Sequence, residues 1–265
     1  MKKTIITFLI AFIAGFLSMN CSKNNTTTPE STIDQPHAVT LSATDSTATS
    51  INLVWTSNGD SDFLFYRLYR CNEFANYLVK TISTKSDTSY KDSLLSPSHS
   101  YTYFVSVVDT GNLASQSNIL PVRTLGTTGL RMGMDPRYLE TELGRTYALE
   151  VWIENVDSLF GASFELSYDS TSMVSDSAKV GSFLGGEVIF FNHTEPGLAS
   201  ISITLKSGAV EASGNGSLAV VYFHTIGTGS KNITFSPTLA LRKANGANVT
   251  GFSSIVLWTS TLLIQ

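Results

Sequence analysis

The chain has 265 residues, 42% of them hydrophobic and 14% charged, with a formal net charge of −4 and two cysteines. That length suits one large domain or two small ones. An acidic balance with no basic patch excludes a nucleic-acid partner, and two cysteines exclude a disulfide-dense scaffold.

Met1-Lys2-Lys3, a nearly uncharged run from Thr4 to Leu17, and then Cys21 have the layout of a secretory signal peptide over residues 1–20. The apolar run is shorter than the about 20 residues of a membrane-spanning helix. "LSMNC", Leu17 to Cys21, resembles a bacterial lipobox, with Asn20 where the pattern has Gly, Ala or Ser. That resemblance implies lipidation of Cys21. It also implies an exported protein anchored by lipid to the bacterial cell envelope, at the outer membrane or cell surface. Residues 21–35 are polar and cannot bury enough surface to fold, so they read as a tether. Removing Lys2 and Lys3 takes the basic residues from 17 to 15 against 21 acidic ones, a net charge of −6. With Cys21 acylated, Cys71 is expected to be a buried small hydrophobe.

Beyond Ala38, apolar runs alternate with period two and are punctuated by Gly, Asn, Asp and Ser. No stretch holds a helical period over three turns. The expected fold class is all-β, two antiparallel sandwiches. The first unit spans 36–125. In "SINLVWT" (50–56), Ile51, Leu53 and Trp55 alternate with Asn52, Val54 and Thr56; "SNGDSD" then marks a turn. Tyr101, Tyr103, Val105 and Val107 share one face of a later strand. Leu95, Pro97 and Tyr101 in "LLSPSHSYTYFV" resemble the tyrosine corner of fibronectin type III domains, and Trp55 matches their buried tryptophan. The resemblance implies an immunoglobulin-like sandwich acting as a spacer, with the Tyr101 hydroxyl bonded to upstream backbone. "TLGTTG" (124–129) reads as a short joint that leaves the domains little freedom.

The second unit, 126–265, reads as about nine strands, enough for a jelly roll. "TYALEVWIENVDSLFGASFELSYDS", "VGSFL", "GNGSLAVVYFHT" and "LALRKANGANV" resemble the successive motifs of cohesin domains. The resemblance implies a nine-stranded jelly-roll sandwich that docks dockerins, calcium-loaded helical modules of polysaccharide-degrading enzymes. No cofactor is then expected in this chain, since the calcium belongs to the partner. By strand period, Phe164, Leu166 and Tyr168 face the core. Ser163, Glu165 and Ser167 then join Ser202, Thr204, Lys206, Asn232 and Thr234 on the partner-binding face that the resemblance implies. Small hydroxyls there permit close approach. Gly161 and Ser163 stand where family members carry an Asn and an Asp, so another recognition pair is implied.

Two other readings stay open. A surface carbohydrate-binding protein would use aromatic residues among Trp152, Phe190, Phe191, Tyr222 and Trp258, with one of Phe190 and Phe191 exposed and Trp152 and Tyr222 in the core; a polysaccharide is then the partner. A structural lipoprotein would have no specific ligand. Enzymatic activity is not expected: His37, His99, His193 and His224 are scattered, and no nucleophile, metal or phosphate motif appears. Glu150/Glu154 and Asp169/Asp176 are carboxylate pairs a sheet can bring together, but two small sandwiches provide no deep cleft around them. Asp157 and Asp169 read as turn residues, as does "NGDSD" (58–62).

Overall fold

A computed structural model describes residues 35–71 and 76–265. The signal peptide, Cys21 and the tether up to residue 34 lie outside the described residues. The fold is all-β, with one short 3₁₀ turn, Phe252–Ser254, and no α-helix among the described residues.

Eight strands form the first sandwich: β1 (Leu41–Ser46), β2 (Ser50–Trp55), β3 (Phe63–Cys71), β4 (Asn76–Ile82), β5 (Ser89–Ser93), β6 (Ser100–Asp109), β7 (Ala114–Gln116) and β8 (Leu120–Arg123). One sheet has the order β1-β2-β5. The other runs β4-β3-β6-β7, with β8 also paired to β6. Ile51, Leu53, Trp55, Tyr101, Tyr103, Val105 and Val107 meet in one core, as their alternation requires. The Tyr101 hydroxyl accepts the Ser96 backbone N–H at 2.9 Å, closing the expected corner. Cys71 is buried, but it is disulfide-bonded rather than a lone thiol, which corrects the sequence expectation. Its sulfur partner lies outside the described residues.

The second sandwich contains β9 (Arg131–Asp135), β10 (Tyr138–Thr141), β11 (Thr146–Leu159), β12 (Gly161–Ser167), β13 (Met173–Val180), β14 (Val188–Glu195), β15 (Leu198–Leu205), β16 (Ala212–Thr225), β17 (Gly229–Phe235), β18 (Ala240–Arg242), β19 (Val256–Trp258) and β20 (Ser260–Ile264). The inner sheet, facing the first sandwich, runs β13-β16-β11-β9-β19. The outer sheet runs β10-β20-β17-β12-β15-β14, with β18 beside β12. Phe164, Leu166, Ile201, Ile203, Ile233 and Leu262 from the outer sheet pack against Leu149, Val151, Leu218 and Phe223 from the inner one.

Two pairings are parallel, β10 with β20 and β19 with β9, so the sandwich is not purely antiparallel. The first and last runs of the unit each break and cross between sheets. The first breaks at Pro136, which has no N–H to donate. The second breaks between Trp258 and Ser260. Both ends of the unit therefore serve both layers, and the nine expected strands become twelve.

The joint between the sandwiches is packed on two sides. On one side Tyr77, from β4, enters the core of the second sandwich with Leu139 and Tyr147. On the other, the 96–101 corner covers β9 and β11 of the inner sheet. There the Asp135 Oδ1 accepts hydrogen bonds from the Tyr101 hydroxyl at 2.6 Å and the Ser96 hydroxyl at 2.9 Å. Glu154 accepts from Ser98 Oγ at 2.7 Å and from the Thr127 N–H and hydroxyl at 3.0 and 2.7 Å. Trp152, 1% exposed, lies edge-on to the His99 ring at 5.2 Å. A Cβ on Gly133 would run into the Trp152 indole, so glycine lets that ring lie flat against β9.

Candidate docking face

The outer sheet turns its free face away from the first sandwich. On β12 the pattern buries Ala162, Phe164 and Leu166 and leaves Ser163, Glu165 and Ser167 half-buried. On β15 Ala199, Ile201, Ile203 and Leu205 face inward, leaving Ser202 exposed and Ser200 and Thr204 half-buried. Ile233 fixes β17 the same way and leaves Asn232 and Thr234 outside.

Register brings these positions together. Ser163 pairs with Ser202, and their hydroxyls are 2.9 Å apart. Ser167 pairs with Thr234 and bonds the Ser236 hydroxyl at 2.8 Å. Glu165 is held by the Thr238 hydroxyl, with Ser200 Oγ at 3.4 Å. Two expected residues lie to the side. Lys206 follows the end of β15, where it pairs with Glu187 at 2.6 Å. Asn232 sits further along the sheet, bonded to Thr261 at 2.8 Å.

The structure adds residues that strand alternation alone did not single out. One cross-strand row runs Phe191, Ser202, Ser163, Ala240 over β14, β15, β12 and β18. The next runs Ile189, Thr204, Gly161, Arg242. Phe191 is 68% exposed and Ile189 is 42% exposed. Together the rows line a shallow hollow of about 230 Å³ with an apolar wall on one side, a floor of Ser, Thr and Gly, and Arg242 on the far rim. A Cβ on Gly161 would press against Thr204 and the Ile203 carbonyl, so the glycine keeps the floor low. Phe191 was visible as one of two rings in "VIFF"; the strand's phase exposes it and turns Phe190 towards the core. Arg242 had no sequence signal, because β18 is only three residues long.

Other candidates are dispersed. Trp152 is buried, but under the first sandwich rather than inside its own. Trp258 is half-buried between Arg131 and Arg137, 5.4 and 4.3 Å from its ring centre, and meets Trp152 at 82°. Tyr222 is half-buried with Lys179 over its ring rather than in the core. These rings form no flat row with Phe191. A larger hollow, about 470 Å³, lies at the joint and is lined by Glu150, Glu154 and Asp135 with His99 and Trp152. Two of its carboxylates are tied to the corner of the first sandwich by the bonds described above.

Asp169 bonds Lys231 and Thr171, which hold its carboxyl far below the usual carboxylate range. Asp157 is lowered by Ser158, Lys243 and Thr250. Asp169 acts as a turn residue, as expected; Asp157 does not, because it lies within β11 and bonds the distant Lys243 and Thr250. Asp60 closes an Asx turn with Asn58 and pairs with His37 at 2.6 Å. Among the described residues, no group of three or more His, Cys, Asp or Glu is placed to hold a metal ion.

No protein-family model matches the chain, and neither does any curated protein. Among solved structures it is similar to a non-cellulosomal cohesin from the hyperthermophilic archaeon Archaeoglobus fulgidus, at 20% identity and a TM-score of 0.44, over 52% of this chain and 92% of that one. It is also similar to the sixth cohesin of Acetivibrio cellulolyticus scaffoldin B, solved with a Cel5 dockerin mutant, at 18% identity and TM-score 0.45, over 52% and 100%. A third is a type I cohesin–dockerin complex from Clostridium thermocellum, at 15% identity and TM-score 0.43, over 53% and 97%. These are likenesses of fold, each spanning about half of this chain.

Proposed function

We propose that the second sandwich is a cohesin-like, non-enzymatic docking module whose outer sheet holds a dockerin-like protein module. The partner is read as part of a polysaccharide-degrading enzyme. The first sandwich, read as a fibronectin type III spacer, and a lipid on Cys21 hold the module at the cell envelope. The observation that carries this reading is the hollow on the outer sheet. Exposed Phe191 and Ile189 stand beside a floor of Ser163, Ser202, Thr204 and Gly161, on the sheet that faces away from the joint. A helix can approach a floor of small residues closely, and an exposed aromatic beside it supplies an anchor. An interface of ordinary size would bury about 800 Å² on each partner.

The test uses the mature chain, because Tyr77 belongs to both sandwiches. Immobilised protein is exposed to culture supernatant of the producing bacterium, with calcium or with EDTA. Calcium-dependent capture of a polypeptide supports docking. Retention by insoluble glycan, with no protein captured, supports the carbohydrate-binding reading instead.

A further inference from the structure

We propose that His99 is a proton-dependent clamp at the joint, closing the first sandwich onto the second when its ring is doubly protonated and loosening that side when it is not. The ring sits between two acceptors. Its Nδ1 lies 2.8 Å from the Pro97 carbonyl oxygen, which can only accept, so Nδ1 carries a hydrogen. Its Nε2 lies 3.5 Å from a carboxylate oxygen of Glu150, on the opposite sandwich. A singly protonated ring would then aim a bare lone pair at a carboxylate. Only the imidazolium satisfies both neighbours.

The surroundings reinforce this. Glu150 and Asp135 are paired directly across β11 and β9, and Glu154 follows on the same face. The second sandwich thus presents three carboxylates to the joint. Tyr101, Ser96, Ser98 and Thr127 supply neutral donors there. The cations around this space are His99, Arg123 on the rim of the same hollow, Arg70 over the Tyr101 ring and within reach of Asp135, Arg137, whose charge also reaches Asp135, and Arg131 directly across from Glu154. Of these only His99 changes its charge between about pH 5 and 9. Burial opposes a charge on His99. The Glu150 hydrogen bond and the Asp135 and Glu150 charges outweigh it, so the ring titrates above 6.5. A raised folded value means the clamp is complete below about 6.5 and is lost as pH rises through the folded value. The opposite side of the joint is held by Tyr77 packed with Leu139 and Tyr147, and among the described residues no histidine lines the hollows beside it. Loosening therefore pivots about Tyr77.

The experiment follows the four histidine rings of the mature chain by NMR while small-angle scattering reports the separation of the sandwiches from pH 5 to 9. His99 is expected to titrate above 6.5, the ordinary imidazole value. Scattering should show the separation growing in step with its deprotonation. Glu150→Gln, which keeps shape and a hydrogen-bonding group, should lower the His99 value by about one unit and move the scattering change with it. His99→Gln should abolish the scattering change. A His99 value at or below 6.5 would overturn the proposal, as would a separation constant across the range or a transition unmoved by Glu150→Gln.

Discussion

Phe191 on β14 stands directly across from Ser202 on β15, and Ser202 stands directly across from Ser163 on β12. A large exposed ring therefore borders the lowest part of the sheet. Anchors of this kind carry a disproportionate share of binding energy. Phe191→Ala is expected to weaken partner binding by about tenfold or more. Because the ring is 68% exposed, the midpoint of thermal unfolding should hardly move. Titration calorimetry and a melting curve on the same preparation check both halves.

Arg70 and Asp92 bind the two faces of the first sandwich to each other. The Arg70 Nη1 lies 3.0 and 2.9 Å from the two Asp92 oxygens, and the Tyr103 hydroxyl donates to Asp92 at 2.8 Å. Burial opposes the Arg70 charge, yet Asp92 and Asp135 raise its pKa above the ordinary value. Asp92→Ala leaves a buried guanidinium without its partner and should cost about 3–5 kcal/mol in denaturant unfolding. The double replacement Arg70→Met, Asp92→Leu removes both charges and should cost less than Asp92→Ala alone.

Acid should weaken the turn at 58–62 before neutral conditions do. Hydrogen bonds from the Asn58 side chain and the His37 backbone hold Asp60 at about 2, against an ordinary 3.8. Its folded value lies below its unfolded one. Its contribution is therefore present above about 3.8 and disappears as pH falls towards 2. Asp60→Asn should flatten that part of the curve of melting temperature against pH. An unchanged acid limb would assign the loss to other carboxylates.

Lipid and disulfide chemistry compete for the same atom. The sequence has two cysteines, and Cys71 is buried in a disulfide. A thioether at Cys21 would consume the other sulfur. Mass spectrometry of protein isolated from the envelope decides between them: the proposed anchor requires the N-terminal peptide to start at acylated Cys21, with Cys71 released from its disulfide. An N-terminal peptide disulfide-linked to the Cys71 peptide would refute the anchor.

Period-two alternation was enough to place Phe164, Leu166 and Tyr168 inside and Ser163, Glu165 and Ser167 outside, because a sheet with one dry face imposes that pattern. It was also enough to put Tyr101 in the core of the first sandwich, while the bond of its hydroxyl to the Ser96 backbone was implied only by the resemblance to a tyrosine corner. What stayed hidden depends on distant neighbours. Trp152 looks like a core residue from its flanks, yet its cover is His99, on another sandwich. Asp135 carried no signal in the sequence, and Glu150 and Glu154 read only as a carboxylate pair on one strand; docking of the 96–101 corner is what covers Asp135 and Glu154. Short strands such as β10 and β18 have no period to read, so Arg242 and the far wall of the hollow were illegible.

The account stands or falls on whether the outer sheet is the surface that holds a partner. Once a captured polypeptide is purified, its affinity should be measured by calorimetry for the wild-type chain and for Ser202→Arg, which fills the floor of the hollow without touching the core. The predicted result is a loss of about a hundredfold or more, roughly 2.7 kcal/mol, with the melting temperature unchanged. Equal affinity in the two proteins would place the partner elsewhere on the molecule and contradict the assignment of the face.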